Sequence, residues 1–480
     1  MKKLENQNKF IDKIEELRRQ EGLEINIRKL NINENEVYVL FIMHIVDRQR
    51  LSDDIIRPLL RYDKSNDITV DTISDSIIYM DDVIFDNDEN NIINYVLNGR
   101  SVIIIGNDEK YIVTNTKKVA KRTPDSPEIE NTIRGPKDAF TENFYTNLSL
   151  IRYRIKDPNL RIDKFTIGKR TKTNVGVIYI SDIANPKYVN EVKKKLSAID
   201  IDGIVESGYI QKFLLNNVFD LFPQTGIISR SDKASANILE GKICIVVEGS
   251  NFVLSAPRTF IEFFDSGDDH YDNLYLGIFS KCLRILSFTL TLTLSSLYVA
   301  VVAFHSDILP ELYILSLAVS RATVPFNALL EAVLMEGIAE ILREASIRLP
   351  KQIGPAIGIV GTIVIGQAAV AAGLVSPLMV IIASLSTMCS FVAPDYTIMN
   401  PVRILKFMLI FVTGIFGLFG FVMGMTVIVI NVISHNSLGV PYFAPIAPFN
   451  FKDLRNFIFS DVTLAKKRPD FLNTQDKTRQ

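Results

Sequence analysis

Three stretches of this chain, residues 285–306, 353–394 and 407–451, contain no Asp, Glu, Lys or Arg. Before residue 285 a charged side chain recurs every few positions. A charge at the centre of a hydrocarbon layer costs about 2.5–3.5 kcal/mol, while an apolar residue returns only a few tenths. Uncharged runs of this length therefore sort into lipid and the remainder into water. The fold class that follows is an α/β soluble N-terminal region joined to an all-α, multi-pass membrane domain. A formal net charge of -1 over 480 residues gives no general pull toward nucleic acid, and none is expected as a partner.

The start, Met1-Lys2-Lys3, is followed by Glu5, Asp12, Glu15 and Glu16 where a signal peptide needs an apolar core. This predicts a cytosolic N-terminal region. Cys244, Cys282 and Cys389 are too few and too scattered for a disulfide framework. Residues 1–35 read as a polar arm with a short amphipathic stretch at Phe10, Ile11, Ile14 and Leu17.

Two blocks then recur in the same order. The buried-strand pattern from Val37 to Ile42 returns from Val175 to Ile180, each followed by a polar link and a helical pattern. Leu97-Asn98-Gly99-Arg100 before an apolar run matches Leu239-Glu240-Gly241-Lys242, a helix end, a glycine cap, a basic residue and a strand. Turns at Gly106-Asn107 and Gly249-Ser250 lead to return strands. Two tandem, duplicated αβ subdomains, 36–130 and 131–258, explain the order, with 259–284 as a juxtamembrane connector. A cleft between the lobes is a natural place for a ligand or partner.

The membrane domain is expected over 285–434, with spans near 285–304, 354–373, 377–393 and 407–433. The run 353–394 is too long for one crossing of a hydrocarbon core roughly 30 Å thick, and breaks between Gly373 and Pro377 into a hairpin. The run 407–433 reads as one tilted span. Segment 312–335 carries Arg321, Pro325 and Glu331, so it is expected to be re-entrant or enclosed by protein. That leaves the number of crossings at about four or five. Residues 334–349 form an amphipathic pattern with Glu336, Glu340 and Glu344 opposite the apolar face. Those acids either line a pore mouth or form the solvated side of an interfacial helix, with Glu344 pairing Arg348. Thr289, Thr293 and Ser296 make a hydroxyl stripe that either faces water or bonds back to its own helix. Gly354, Gly358 and Gly361, and then Gly414, Gly417, Gly420 and Gly424, are small faces for close helix packing or a sliding contact. The proline-rich tail, 435–480, is expected to cap the membrane domain, with Lys466, Lys467 and Arg468 available to anionic headgroups.

No catalytic chemistry is expected. His44, His270, His305 and His435 lack metal-ligand spacing, and no GxSxG, HExxH or dinucleotide fingerprint is present. The stretch from Gly361 to Gln367 imitates a phosphate loop without its Lys and Ser/Thr. No cofactor and no metal follow from the sequence.

The soluble half carries Arg134-Gly135-Pro136-Lys137-Asp138-Ala139-Phe140-Thr141-Glu142, Lys156-Asp157-Pro158-Asn159-Leu160, Ile183-Ala184-Asn185-Pro186 and the run from Ala256 through Arg258 to Phe264. The membrane half carries Pro325-Phe326, Leu329-Leu330-Glu331-Ala332, Leu342-Arg343-Glu344-Ala345, Arg348-Leu349-Pro350-Lys351 and the run from Gly361 through Gln367 to Pro377. On these runs the chain, almost end to end, resembles the spore germinant-receptor A-subunit family, from whose form Ser231, Glu248 and Asn251 depart. The resemblance implies a subunit of the spore's inner membrane that works with a transporter-like B subunit and a lipoprotein C subunit, self-associates in lipid, and triggers germination in response to nutrients by forming or gating an ion channel. Arg321, Glu331, Glu336, Glu340, Glu344 and Gln367, with the hydroxyl stripe, are then the candidate pore or gate residues. A secondary transporter and a non-conducting scaffold for the other subunits are the rival readings. A transporter usually repeats its membrane half, and the repeat here lies in the soluble half.

Overall fold

The computed structural model describes residues 25–32, 35–62, 68–105, 108, 110–117, 136, 138–217, 219–271, 273–347, 354–459 and 465–479. The amphipathic stretch from Phe10 to Leu17, the turn at Gly106 and Asn107, and Arg348 lie outside the described residues.

Two five-stranded sheets follow one another. The first holds β1 (Asn26–Ile32), β2 (Asn35–Phe41), β3 (Val83–Asp86), β4 (Ser101–Ile105) and β5 (Tyr111–Thr114) in the order β1-β2-β4-β5-β3. The second holds β6 (Leu160–Ile167), β7 (Thr173–Ile180), β8 (Gly226–Ile228), β9 (Ile243–Val247) and β10 (Val253–Ala256) in the order β6-β7-β9-β10-β8. Every neighbouring pair is antiparallel. The strands whose sequences repeat, β2 with β7 and β4 with β9, hold matching places in the two sheets.

All residues of β4 and β9 are buried, because both faces of each sheet are covered. Helical turns over residues 48–61 and 70–77 put Leu51, Ile55 and Ile73 on one side of the first sheet, and α1 (Glu89–Leu97) puts Ile92 and Val96 on the other. The second sheet lies between α2 (Phe144–Arg154) and α5 (Ser231–Leu239) on one face and α3 (Pro186–Ser197) and α4 (Ser207–Leu214) on the other. Gly99 and Gly241 follow α1 and α5 at φ +82° and +97°, a left-handed conformation that costs glycine nothing and lets the chain reverse into a strand.

The later half is helical. Helix α6 (Leu274–Phe304) starts at the second sheet; α7 (Glu311–Arg321), α8 (Ala328–Ile347), α9 (Gly354–Ala371), α10 (Pro377–Ser390) and α11 (Met399–Ser434) follow. By length and composition, Leu274–Phe304 and Tyr396–Ser434 are each apolar enough to cross a membrane. The first begins well before the expected start at residue 285. Helix α8 runs antiparallel to α6, with Tyr298 meeting Glu331 and Ser295 meeting Glu336. Helices α9 and α10 make the expected hairpin, turned at Gly373 and capped by the Ser376 hydroxyl, which accepts the Met379 N–H at 3.3 Å.

The single tilted span expected over 407–433 is not what forms. Gly417 adopts φ 61°, ψ -143°, and α11 folds back on itself there. A Cβ on Gly424 would stand 2.6 Å from Leu409, and one on Gly420 2.4 Å from the Val412 carbonyl oxygen. On a straight helix Leu409 and Gly424 would be roughly 22 Å apart. Leu405 and Leu409 of the outgoing arm share an apolar cluster with Met425 and Val432 of the returning arm. That dihedral region is open essentially to glycine alone, so one residue flanked in sequence by Phe416 and Leu418 makes the reversal.

Segment 312–335 also differs from expectation. It divides at Pro325 into α7, of which no residue is buried, and the start of α8, where Ala328 and Ala332 are fully packed. Only the second piece is enclosed. Nor does the tail cap the helices alone, since Leu438 and Val440 belong to the apolar core of the second sheet.

Candidate functional site

The four charged side chains that the structure buries along α8 are the most costly feature of the helical half. Glu331, Glu336 and Arg343 are 0%, 0% and 3% exposed, and Glu340 is mostly covered. Burial of an unpaired charge costs several kcal/mol per ion, so each must find a partner. Asn327 opens the helix by accepting the Leu330 N–H at 2.9 Å, which sets the rotation that turns this row inward.

The partners form successive rungs. At the end far from the sheets, Glu331 Oε1 accepts the Ser376 backbone N–H at 2.6 Å, its Oε2 accepts the Tyr298 hydroxyl at 3.1 Å, and Arg321 Nη2 lies 3.5 Å away. In the middle, Glu336 Oε2 accepts Lys406 Nζ at 2.6 Å and its Oε1 accepts the Ser295 hydroxyl. Nearest the sheets, Glu340 Oε2 accepts Arg403 Nε at 2.6 Å, and Arg343 donates to Ser390 Oγ at 2.6 Å with its guanidinium over the Phe391 ring. Two unit charges about 4 Å apart attract by about 4 kcal/mol at an effective dielectric of 20. Such pairs hold α8 to the outgoing arm of α11 only while both members are present.

The expected acidic stripe is thus turned over. Glu336, placed by its periodicity on a solvated face, is fully buried, and Ile341 of the expected apolar face is 71% exposed. The inner face of α8 carries Glu331, Glu336 and Arg343 among Ala332, Met335 and Ala339, while Leu330 and Ile341 face outward, a departure from the usual amphipathic rule. Glu344 does lie at the surface. Arg321 and Glu331, singled out together in the sequence, do meet. Lys406, Arg403, Tyr298, Ser295 and Ser376 were not foreseen. The available signal was spacing: Glu336 and Glu340 are four apart, Arg403 and Lys406 three apart, and antiparallel helices bring such pairs into register.

The remaining candidates do not join this site. Thr289 and Thr293 donate to the carbonyls of Ile285 and Thr289, back-bonding to their own helix. Ser296 is fully buried, and its hydroxyl has no hydrogen-bond partner among the described residues. Gln367 is exposed and lines an apolar groove of about 610 Å³ between α9 and α10 with Val370, Val380 and Ser384. Gly354 and Gly358 fall in α9. Gly361 admits Leu342, Gly414 admits Leu329, and Gly417 admits Phe304, while Gly420 and Gly424 admit the facing arm of their own hairpin. The glycine face therefore packs α11 against itself and two neighbours. Among the described residues no group of three His, Cys, Asp or Glu side chains could hold a metal ion.

A second polar cluster joins the connector that follows the second sheet to α6. Asp265 accepts Lys281 Nζ at 2.7 Å and pairs with His270 at 2.8 Å. Arg284 donates to Asp269 Oδ2 at 2.5 Å and to the Phe264 carbonyl at 3.1 Å. Burial pushes the Asp265 carboxyl upward, but the charges of His270 and Lys281 outweigh it and hold it well below the usual range. The Asp265 carboxylate in turn raises His270, against its own burial. Phe260, Phe264 and Phe288 stack edge to face beside this cluster at 5.1–5.6 Å.

A family model described as the Bacillus/Clostridium GerA spore germination protein matches residues 12–471. Spore germination protein KA of Bacillus subtilis (strain 168) is 35% identical over 462 residues, which is 95% of this chain and 85% of that protein. Spore germination protein GerLA of Bacillus cereus is 36% identical over 442 residues, 92% of this chain and 90% of that protein. Among solved structures, the N-terminal domain of the A subunit of the Bacillus megaterium spore germinant receptor GerK3 is 32% identical, with a TM-score of 0.41, and covers 53% of this chain and 95% of that chain.

Proposed function

Because the chain belongs to the GerA spore germination family, we propose that it is the A-type subunit of a nutrient germinant receptor and that its helical half forms or gates an ion path. Six helical segments cross the spore's inner membrane in this reading: α6, α8, α9, α10 and the two arms of α11. Each arm of α11 is about 25 Å long, close to a hydrocarbon core of roughly 30 Å. An even number of crossings puts both sheets and the tail on one side, the cytosolic core, in keeping with the tail's contacts to the second sheet. The two sheets, alike in strand order and in the sequences of β2 and β7, are in this reading a duplicated module. Partners are a transporter-like B subunit, a lipoprotein C subunit and further copies of this chain.

The observation that carries the reading is the ladder of buried acid–base pairs inside a shell of uncharged helices. A membrane protein keeps interior charges only where they pair or line a polar path. With every rung closed, α8 and α11 are locked together and no polar path is open. Nutrient binding to the complex favours a second packing in which the rungs part and Glu331, Glu336 and Glu340 face water, a shift between two populated arrangements. The test is monovalent cation flux through liposomes holding the assembled receptor. Germinant should start the flux in wild type. Vesicles that stay tight around a verified, folded complex contradict the proposal and favour a scaffold.

A further inference from the structure

The segment after α11 returns to the second lobe. Its two short strands, β11 (Asn436–Ser437) and β12 (Val440–Pro441), pair across a tight turn. Ser437 Oγ donates to the Gln224 carbonyl at 2.6 Å and accepts the Arg258 N–H at 3.0 Å. Leu438 and Val440 are 3% and 0% exposed among Val177, Val192 and Ile245 of the second lobe. The Tyr442 carbonyl accepts the Phe260 N–H at 2.7 Å, which reaches the connector. Helix α12 (Phe451–Phe459) then presents the Phe457 carbonyl to Lys281 of α6 at 2.7 Å.

Further along, the tail satisfies backbone groups that α5 and the turn before α3 leave open. Arg468 Nε donates to the Leu239 carbonyl, the last of α5, at 2.8 Å. A helix end has unsatisfied carbonyls, and a cationic side chain suits them. Gln475 donates its backbone N–H to the Ile183 carbonyl at 3.0 Å and its amide to Ala184 at 2.9 Å. Arg479 closes on Glu240 at 2.8 Å. The second lobe is therefore finished by residues more than two hundred positions later in the chain. By contrast, the first lobe meets the second through small contacts such as His44 stacked on Tyr145 at 4.6 Å.

We infer that residues 436–459 and 465–479 act as a strap that makes the second lobe, the connector and the near ends of α6 and α11 one mechanical body, so that motion of the α11 hairpin reaches the soluble module directly. Its part in germination rests on the function proposed above; the mechanical claim does not. The test uses the full chain in nanodiscs with Arg468→Ala and Gln475→Ala combined, and a second chain ending at residue 464. Backbone exchange at residues 183–187 and 239–242 should rise at least about ten-fold, the expected response to opening a locally protected segment. Distances between spin labels at Lys194 and Ile308 should broaden, and a peptide of residues 465–479 added to the shortened chain should narrow them again. Unchanged exchange overturns the strap. Raised exchange with unchanged distances also overturns it, because the tail then merely seals one lobe. In liposomes holding the assembled receptor, the shortened chain should lose most of the germinant-triggered flux that wild type shows; full flux overturns the transmission role. A wild type that passes no ions counts against the proposed function, and the exchange and distance results still decide the strap.

Discussion

The sheets and the helices of this protein differ in what they turn outward. In the two lobes the sheet cores are Val, Ile and Leu, ion pairs such as Lys29–Glu36 and Lys169–Asp200 sit at the surface, and buried charges such as Arg230 with Asp232 and Lys242 with Glu262 lie outside those cores. In the helical half, Phe419 and Ile381 are 69% and 63% exposed while Glu336 and Lys406 are fully buried. One half hides its apolar side chains and the other displays them. The difference teaches that burial alone does not rank residues by polarity. The solvent outside decides which groups are driven inward, and under the proposed function the helical half faces lipid, a solvent that rejects charge.

The contrast makes its largest prediction at the middle rung. Lys406→Met leaves the Glu336 carboxylate buried without its cation and should cost about 3–5 kcal/mol. The double variant Glu336→Gln with Lys406→Met should recover most of that loss. Thermal unfolding of the purified chain in nanodiscs measures both, and an equal loss in the single and double variants would break the comparison.

Two apolar truncations follow. Ile245→Ala empties a fully buried site in the second lobe and should cost about 2–4 kcal/mol, whereas Ile381→Ala, on the outer face of α10, should stay within about 0.5 kcal/mol in lipid. Equal costs would mean that both surfaces meet the same surroundings. Gly417→Ala should cost about 1–3 kcal/mol through its backbone conformation, and more if Phe304 does not yield, because a Cβ there would lie 2.9 Å from that ring. Cysteines at Leu409 and Gly424 should form a disulfide in the parent chain and do so less in the Gly417 variant.

The smallest effect is expected at the boundary between the two regions, and it depends on pH. His270 is raised by Asp265, so its contribution is complete below about 6.5, the ordinary histidine value, and is lost as pH climbs through its higher folded value. Asp265 is lowered, so its contribution is complete above about 3.9 and is lost as pH falls through its depressed value. Backbone protection over residues 265–271, taken as exchange relative to the intrinsic rate at each pH, should therefore be greatest between those limits. His270→Gln should flatten the alkaline limb and leave the acid limb in place.

Parts of this architecture were legible early because they depend on local pattern. The β2 and β7 runs carry enough Val, Ile and Tyr to be read as buried strands, and the break at Gly373 to Pro377 announces itself through residues that cannot continue a helix. The reversal at Gly417 carried no such mark. Its neighbours are as apolar as the arms, so hydropathy sees one long span. The candidate site was half legible. Arg321 with Glu331 could be read from the cost of leaving either alone, but Glu336 looked solvated because helical periodicity assumes that the charged face meets water.

What the amino-acid sequence determined alone was the partition: where charge is frequent, where it is absent, which strands repeat and where proline or glycine ends a helix. These are sums over near neighbours, and free energies of transfer add along the chain. The tertiary structure decided the rest. Glu336 and Lys406 are distant in sequence and become partners only when α8 and α11 pack antiparallel, and Leu438 reaches the second lobe only because the α11 hairpin returns its end to the side from which α6 began. Pairing and return are properties of the closed arrangement, since each contact exists only when the others have placed its two members together.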